Sequence, residues 1–252
     1  MEQQGTTIFM GKDQVTVTTV DELGMKSIKQ TSIDNVQAVF MLEQAMETPL
    51  LPSQWGVVKY YRKNHYEGYV LTTAPSERIV NFDTRRDGVP ESMTVPIPPL
   101  VWIFEVLTNN SGKKLMHSMV YVLKHELLSL KDDVLHCPYP NIGVSHGICW
   151  GRDLPSVPTG KSIQNIPARF FSQPFNTDLS TNRTEMVNLT LPNGSTRETD
   201  NALDHMIYCG NLLEKSKKEE TPFVYPFETL KKAGTLNVEK AIKNYLPGVF
   251  NQ

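Results

Sequence analysis

Residues 136–160 read HCPYPNIGVSHGICWGRDLPSVPTG, and the architecture of the chain turns on this stretch. It is dense in Pro, Gly, His and Cys, has no sustained strand or helix period, and is too apolar for a free linker. Such a segment is expected to be ordered but irregular, packed on a sheet, where functional groups commonly sit. Its flanks supply the sheet. Upstream, Val101 to Leu107 and Leu115 to Leu123 bracket Asn109-Asn110-Ser111-Gly112, the pattern of a hairpin with a Gly-bearing loop. Three further runs predict strands: Val57 to Tyr61, Gly68 to Thr72 and Arg78 to Phe82. Pro96, Pro98 and Pro99 lack amide donors, so Val95 to Leu100 belongs at a sheet edge or an extended crossing.

Further out, Gln14-Val15-Thr16-Val17-Thr18 alternates, so residues 1–30 predict a small N-terminal β unit, with residues 31–252 as the main domain. Ile33, Val36, Val39 and Phe40 recur at helical spacing behind Ser32, predicting a helix over 32–46 that ends before Pro49. Downstream, Leu203, Met206, Ile207 and Leu213 share a helix face, with Thr199 or Asp200 as cap. Gly210 weakens that helix by roughly 1 kcal/mol relative to Ala. Asn237 to Tyr245 predicts a last short helix. The order of elements gives an α+β fold, an antiparallel sheet flanked by helices.

Composition excludes several classes. The 252 residues allow one large domain, or a core domain with a smaller attachment. A formal net charge of −2 offers no electrostatic footprint for nucleic acid or an anionic membrane. Ala38 to Leu42 and Leu100 to Phe104 are far shorter than the ~20 apolar residues of a membrane helix. The stretch MEQQGTTIFMGKD lacks a basic region followed by an apolar one, so a cytoplasmic protein is expected.

Three cysteines are too few for a disulfide scaffold and must be judged singly. Cys137, beside Pro138, and Cys209, in an apolar helix, read as structural. Cys149 follows Gly147-Ile148, and Asn141 precedes it by eight positions. A nucleophilic thiol needs access and some thiolate, which a Gly-rich turn supplies more readily than a helix interior. A nearby Asn amide could stabilise an oxyanion, a donor whose loss typically costs about 10²–10³ in rate. The alternative is a buried cysteine acting as a small hydrophobe. Zinc competes through His136, Cys137, His146 and Cys149, but their spacing fits no zinc pattern, so no metal is expected. Thr159-Gly160-Lys161-Ser162 resembles the tail of a P-loop, yet Pro155 stands where its first glycine belongs. A Cys–His hydrolase could draw its base from His117, His125, His146 or His205.

The combination Pro140-Asn141-Ile142, then Gly147-Ile148-Cys149, resembles the active-site signature of ubiquitin-conjugating (E2) enzymes. Val95-Pro96-Ile97-Pro98-Pro99 is similar to that family's proline-rich stretch, and the element order agrees. Tyr139 stands where the eukaryotic pattern has His, Trp150-Gly151 replaces Leu-Asp, and Gly147 lies one position nearer the cysteine. A longer span also separates Pro99 from Pro140. These departures resemble prokaryotic E2 family D, which includes protein B of the PRTRC plasmid-type systems. Thr48-Pro49-Leu50-Leu51-Pro52 and the Phe170 to Phe175 segment are similar to that branch, and the likeness spans roughly residues 45–180.

The resemblance implies a ubiquitin-conjugating-like core and a covalent carrier in a bacterial or mobile-element pathway. Cys149 would accept a ubiquitin-like protein as a thioester from a ThiF-type (E1-like) activating enzyme and transfer it to an amine, with no cofactor of its own. Asn141 would stabilise the oxyanion. A JAB-type metalloprotease would accompany the pathway. To these we add His146, three residues before Cys149, as a group that could lower the thiol pKa if close enough. The alternatives are a catalytically silent binding module of the same fold, with Cys149 buried, and a Cys–His hydrolase.

Overall fold

A computed structural model describes residues 5–10, 14–21, 24–32, 46–51, 56–83, 89–143, 145–152, 154–157, 159–176, 179 and 183–250. The expected helix over 32–46 falls on 33–45, outside the described residues, while Ser32 itself ends a strand.

The chain divides into two compact units, Met1–Met46 with Lys63–His65, and Glu47–Arg62 with Tyr66–Gln252. In the first, β1 (Gly5–Met10), β2 (Gln14–Val20) and β3 (Lys26–Ser32) form a three-stranded antiparallel sheet. Alternation of β-branched residues suits this pleated surface, and among the side chains described there Val15 is buried.

The remaining strands are β4 (Met46–Glu47), β5 (Val57–Lys63), β6 (Tyr66–Thr73), β7 (Ser76–Asn81), β8 (Ser92–Ile97), β9 (Leu100–Asn109), β10 (Gly112–Val122), β11 (Asp133–Leu135), β12 (Val187–Thr190), β13 (Thr196–Thr199) and β14 (Lys232–Asn237). A seven-stranded sheet runs β14-β11-β10-β9-β6-β5-β4, and β7-β8 and β12-β13 form two-stranded sheets. The pairings of β9 with β6 and β10, and of β7 with β8, are antiparallel. Pro96 sits in β8, whose one partner among the described residues is β7, so the missing amide removes no bond from the large sheet.

Strand β9, LVWIFEVLTN, is buried on both faces, which explains its continuous apolar run. Trp102 and Phe104 enter one core with Tyr139, Phe170 and Phe175, while Val101 and Ile103 enter the other with Val238, Ala241, Ile242 and Leu246. Glu105 is the buried exception, with its Oε1 accepting the Gly248 amide at 2.8 Å.

The helices are α1 (Gly160–Gln164), α2 (Ile166–Ser172), α3 (Ala202–Lys218), α4 (Val238–Tyr245) and α5 (Pro247–Phe250). The cap of α3 is Asn201 rather than Thr199 or Asp200: its Oδ1 accepts from the amides of Leu203 and Asp204. Thr199 instead donates to the Asp204 carboxylate at 2.8 Å. Gly210 has a packing reason, since a Cβ there would lie 2.5 Å from Met93 Sδ and 3.1 Å from the Thr94 carbonyl of β8. The fold is thus mixed α and β, mostly antiparallel sheet with few helices. No described helix is long and apolar enough to cross a membrane.

Candidate active site

The segment after β11 is irregular because its bonds go to several different partners rather than to one strand. His136 donates its amide to the Lys231 carbonyl at 3.0 Å. Ile142 pairs with Ile148 and Gly147 with Met119, in two antiparallel bridges. The Ile148 amide donates to the Ser118 carbonyl at 2.9 Å, so the returning arm of the loop lies against β10. Within the loop, Gly143 N–H donates to Gly147 O at 2.8 Å and His146 N–H to Gly143 O at 2.9 Å. His146 turns the chain with φ +66, a left-handed conformation uncommon for a residue with a Cβ.

This closure brings the two ends of the loop together. The Cys149 amide donates to the Asn141 carbonyl at 2.8 Å, which makes residues eight apart in sequence direct backbone neighbours. Cys149 is exposed, whereas Cys137 and Cys209 are buried. Asn141 and Cys149 line one cleft of about 230 Å³ with Trp150, Gly151, Gln173, Pro174, Asn176 and Leu179. Across it, the Asn141 carboxamide donates through Nδ2 to the Pro174 carbonyl at 3.0 Å. A carboxamide carries two N–H donors, so one hydrogen stays available to a second acceptor. Pro174 is itself fixed, because Phe175 donates to Asn81 O and accepts from Asp83 N, both at 2.8 Å.

The floor under the cleft is aromatic. Phe170 packs edge-on to Trp102, Trp150 and Phe175 at centroid distances of 5.6, 6.2 and 5.5 Å. Trp150, the residue after the cysteine, is 6 % exposed and donates Nε1–H to Ser118 Oγ at 2.9 Å. Tyr139, where the eukaryotic E2 pattern has His, is buried against Phe170, Phe171 and Phe175.

His146, the third candidate, is buried in an aromatic stack. Its ring is 6 % exposed and lies between His136, with centroids 4.6 Å apart, and Tyr121, at 4.5 Å. Burial foremost, then the neighbouring His136 and the Arg183 cation, lower its pKa to about 4. A neutral imidazole provides no positive charge to favour a thiolate, and His146 does not line the cleft. No histidine among the described residues does, so the cleft holds no imidazole base of the kind a Cys–His hydrolase uses. Among the described residues no group of three or more His, Cys, Asp or Glu side chains is placed to hold a metal ion.

Sequence reasoning did not identify Arg183, Gln173, Pro174 or Asn176 as parts of this region. Gln173 and Pro174 lie within the noted Phe170 to Phe175 run, and Asn176 directly follows it. Arg183 acts across about forty residues of chain, and no spacing marks it.

An antiparallel sheet thus carries a closed irregular loop, with a free thiol and a carboxamide on one cleft. Residues 38–206, about two thirds of the chain, match prokaryotic E2 family D, and the chain belongs to that family. Membership ties it to ubiquitin-like conjugation machinery in general. Comparison with curated proteins and with solved structures gives no match.

Proposed function

We propose that the chain is an E2-like cysteine carrier built on a ubiquitin-conjugating-like core. It accepts a ubiquitin-like protein from a ThiF-type activating enzyme and transfers it to an amine. The observation that carries this reading is the exposed Cys149 sulfur sharing a cleft with the Asn141 carboxamide, on a loop closed by their own backbone bond.

In the first step the Cys149 thiolate attacks the thioester carbonyl of the charged activating enzyme. A tetrahedral oxyanion forms and collapses by expelling that enzyme's thiolate, leaving the ubiquitin-like protein on Cys149. In the second, an amine attacks the new thioester, the Cys149 thiolate departs, and the amine's proton passes to solvent. Sulfur serves as both nucleophile and leaving group near neutral pH, so no full triad is required. The free hydrogen of the Asn141 carboxamide stabilises the oxyanion of each step. On this reading activation lies in access and oxyanion stabilisation. The irregular segment follows from this chemistry, since a regular strand or helix would bury the thiol or separate it from the amide.

The test is a two-stage assay. The chain is charged with activating enzyme, ubiquitin-like protein and ATP, then chased with a primary amine. The expected result is a thiol-labile adduct that Cys149→Ala abolishes. Asn141→Ala slows the amine chase more than the charging. A chain that never charges despite competent partners is the silent binding module of the same fold.

A further inference from the structure

We propose that Arg183 is a positioning residue for this site: its guanidinium anchors the Asn141–Cys149 loop from behind and holds the thiol and the carboxamide on their common cleft. The proposal deepens the carrier reading and rests on it for its catalytic arm only.

Arg183 is 2 % exposed, and its side chain ends on the main chain of the cysteine segment. Nη2 donates to the Ile142 carbonyl at 2.9 Å and also to the Gly143 carbonyl, and Nη1 reaches the Cys137 carbonyl at 3.4 Å. Ile142 and Gly143 are the two residues immediately after Asn141. Ile142 is also the bridge partner of Ile148, the residue immediately before Cys149. The guanidinium thus grips the loop where its two functional ends meet.

Two features distinguish this from ordinary packing. First, among the described residues no carboxylate pairs with Arg183, and its burial works against its charge. A buried cation without a counter-ion is costly unless its donors are satisfied, so the carbonyls of the cysteine segment are what make its burial tolerable. Second, the Arg183 main chain is fixed independently of its side chain. Its carbonyl accepts the Lys231 amide at 3.1 Å, and Lys231 in turn accepts from His136 at 3.0 Å. Truncating the side chain therefore releases the loop while leaving the anchor in place. A planar fork with several donors can hold adjacent carbonyls that a single ammonium cannot hold equally.

The experiment compares the full-length wild type with Arg183→Met and Arg183→Lys, the second keeping the cation and one point of donation. In the amine chase, Arg183→Met is expected to slow the maximal discharge rate by about ten- to a hundredfold, with KM for the amine within threefold; misplacement of about 1 Å has effects of that size. Arg183→Lys should recover part of the rate. Two readouts need no conjugation partner: hydrogen exchange at the Gly143 and Ile148 amides should quicken, and the His146 titration midpoint should rise from about 4, because the Arg183 charge helps to depress it. Since loss of a buried donor can unfold the loop completely, Arg183→Lys carries the test in that event. Wild-type discharge and wild-type exchange in a folded variant would overturn the proposal. If the wild type itself fails to charge, the carrier reading fails, and unchanged exchange and titration would still separately overturn the positioning role.

Discussion

The two faces of the cysteine loop are built from opposite materials. The front presents Cys149 and Asn141 to an open cleft. The back is closed, with His136 stacked on His146, Tyr121 tilted against His146, and Arg183 holding the carbonyls of Ile142 and Gly143. An irregular segment exposes reactive groups in a fixed geometry only if its backbone is satisfied elsewhere, and here buried polar side chains do part of what a neighbouring strand would otherwise do.

The contrast predicts the sharpest effects at the front. Under native conditions iodoacetamide should alkylate Cys149 to completion, while Cys137 and Cys209 react only on unfolding. Peptide mapping reports all three, and protection of Cys149 would break the comparison. Cys149→Ala should leave the unfolding free energy unchanged within about 0.5 kcal/mol, as expected for an exposed side chain. Asn141→Ala should lower the rate of amine transfer by about 10²–10³, the usual effect of losing an oxyanion donor, and a single-turnover chase measures it.

Acid should act on the back. His146 is held at about 4 in the folded chain against 6.5 for the ordinary side chain, mainly by burial, and His136 is shifted the same way, also mainly by burial. The unfolded chain therefore binds more protons between those values. Stability should be fully present above about pH 6.5 and decline as the pH falls toward 4, by on the order of 1 kcal/mol per pH unit for His146. Chemical denaturation at a series of pH values would show it, and a flat profile across that window would contradict a neutral, buried pair. The smallest effect is at Tyr139, whose hydroxyl is buried without a hydrogen-bond partner among the described residues. Tyr139→Phe removes an unsatisfied group, so stability should stay level or rise by up to about 1 kcal/mol in the same denaturation experiment.

Much of this was legible in the sequence, for local reasons. Strands β5, β6, β7, β9 and β10 follow from β-branched and aromatic runs bounded by turn residues, and the Asn109 to Gly112 turn follows from its glycine, at φ +116. The helix over 202–218 was visible from its apolar spacing, although its cap lay one residue beyond the candidates, at Asn201. Other elements were missed despite local signals. Ile163, Ile166, Phe170 and Phe171 recur at helical spacing through α1 and α2, and Asn193-Gly194 marks the turn of the β12–β13 hairpin. The proximity of Asn141 and Cys149 came from a motif. The stacking of His136 on His146 and the reach of Arg183 depend on contacts between distant parts of the chain, which no window of sequence encodes.

The most direct measurement is the site of covalent attachment, read by mass spectrometry of the chain after incubation with ATP, a ThiF-type enzyme and its ubiquitin-like protein. The account predicts one adduct, lost on adding a reducing thiol and mapped to the peptide bearing Cys149. An adduct that survives the thiol, sits on another residue, or persists in Cys149→Ala would contradict it.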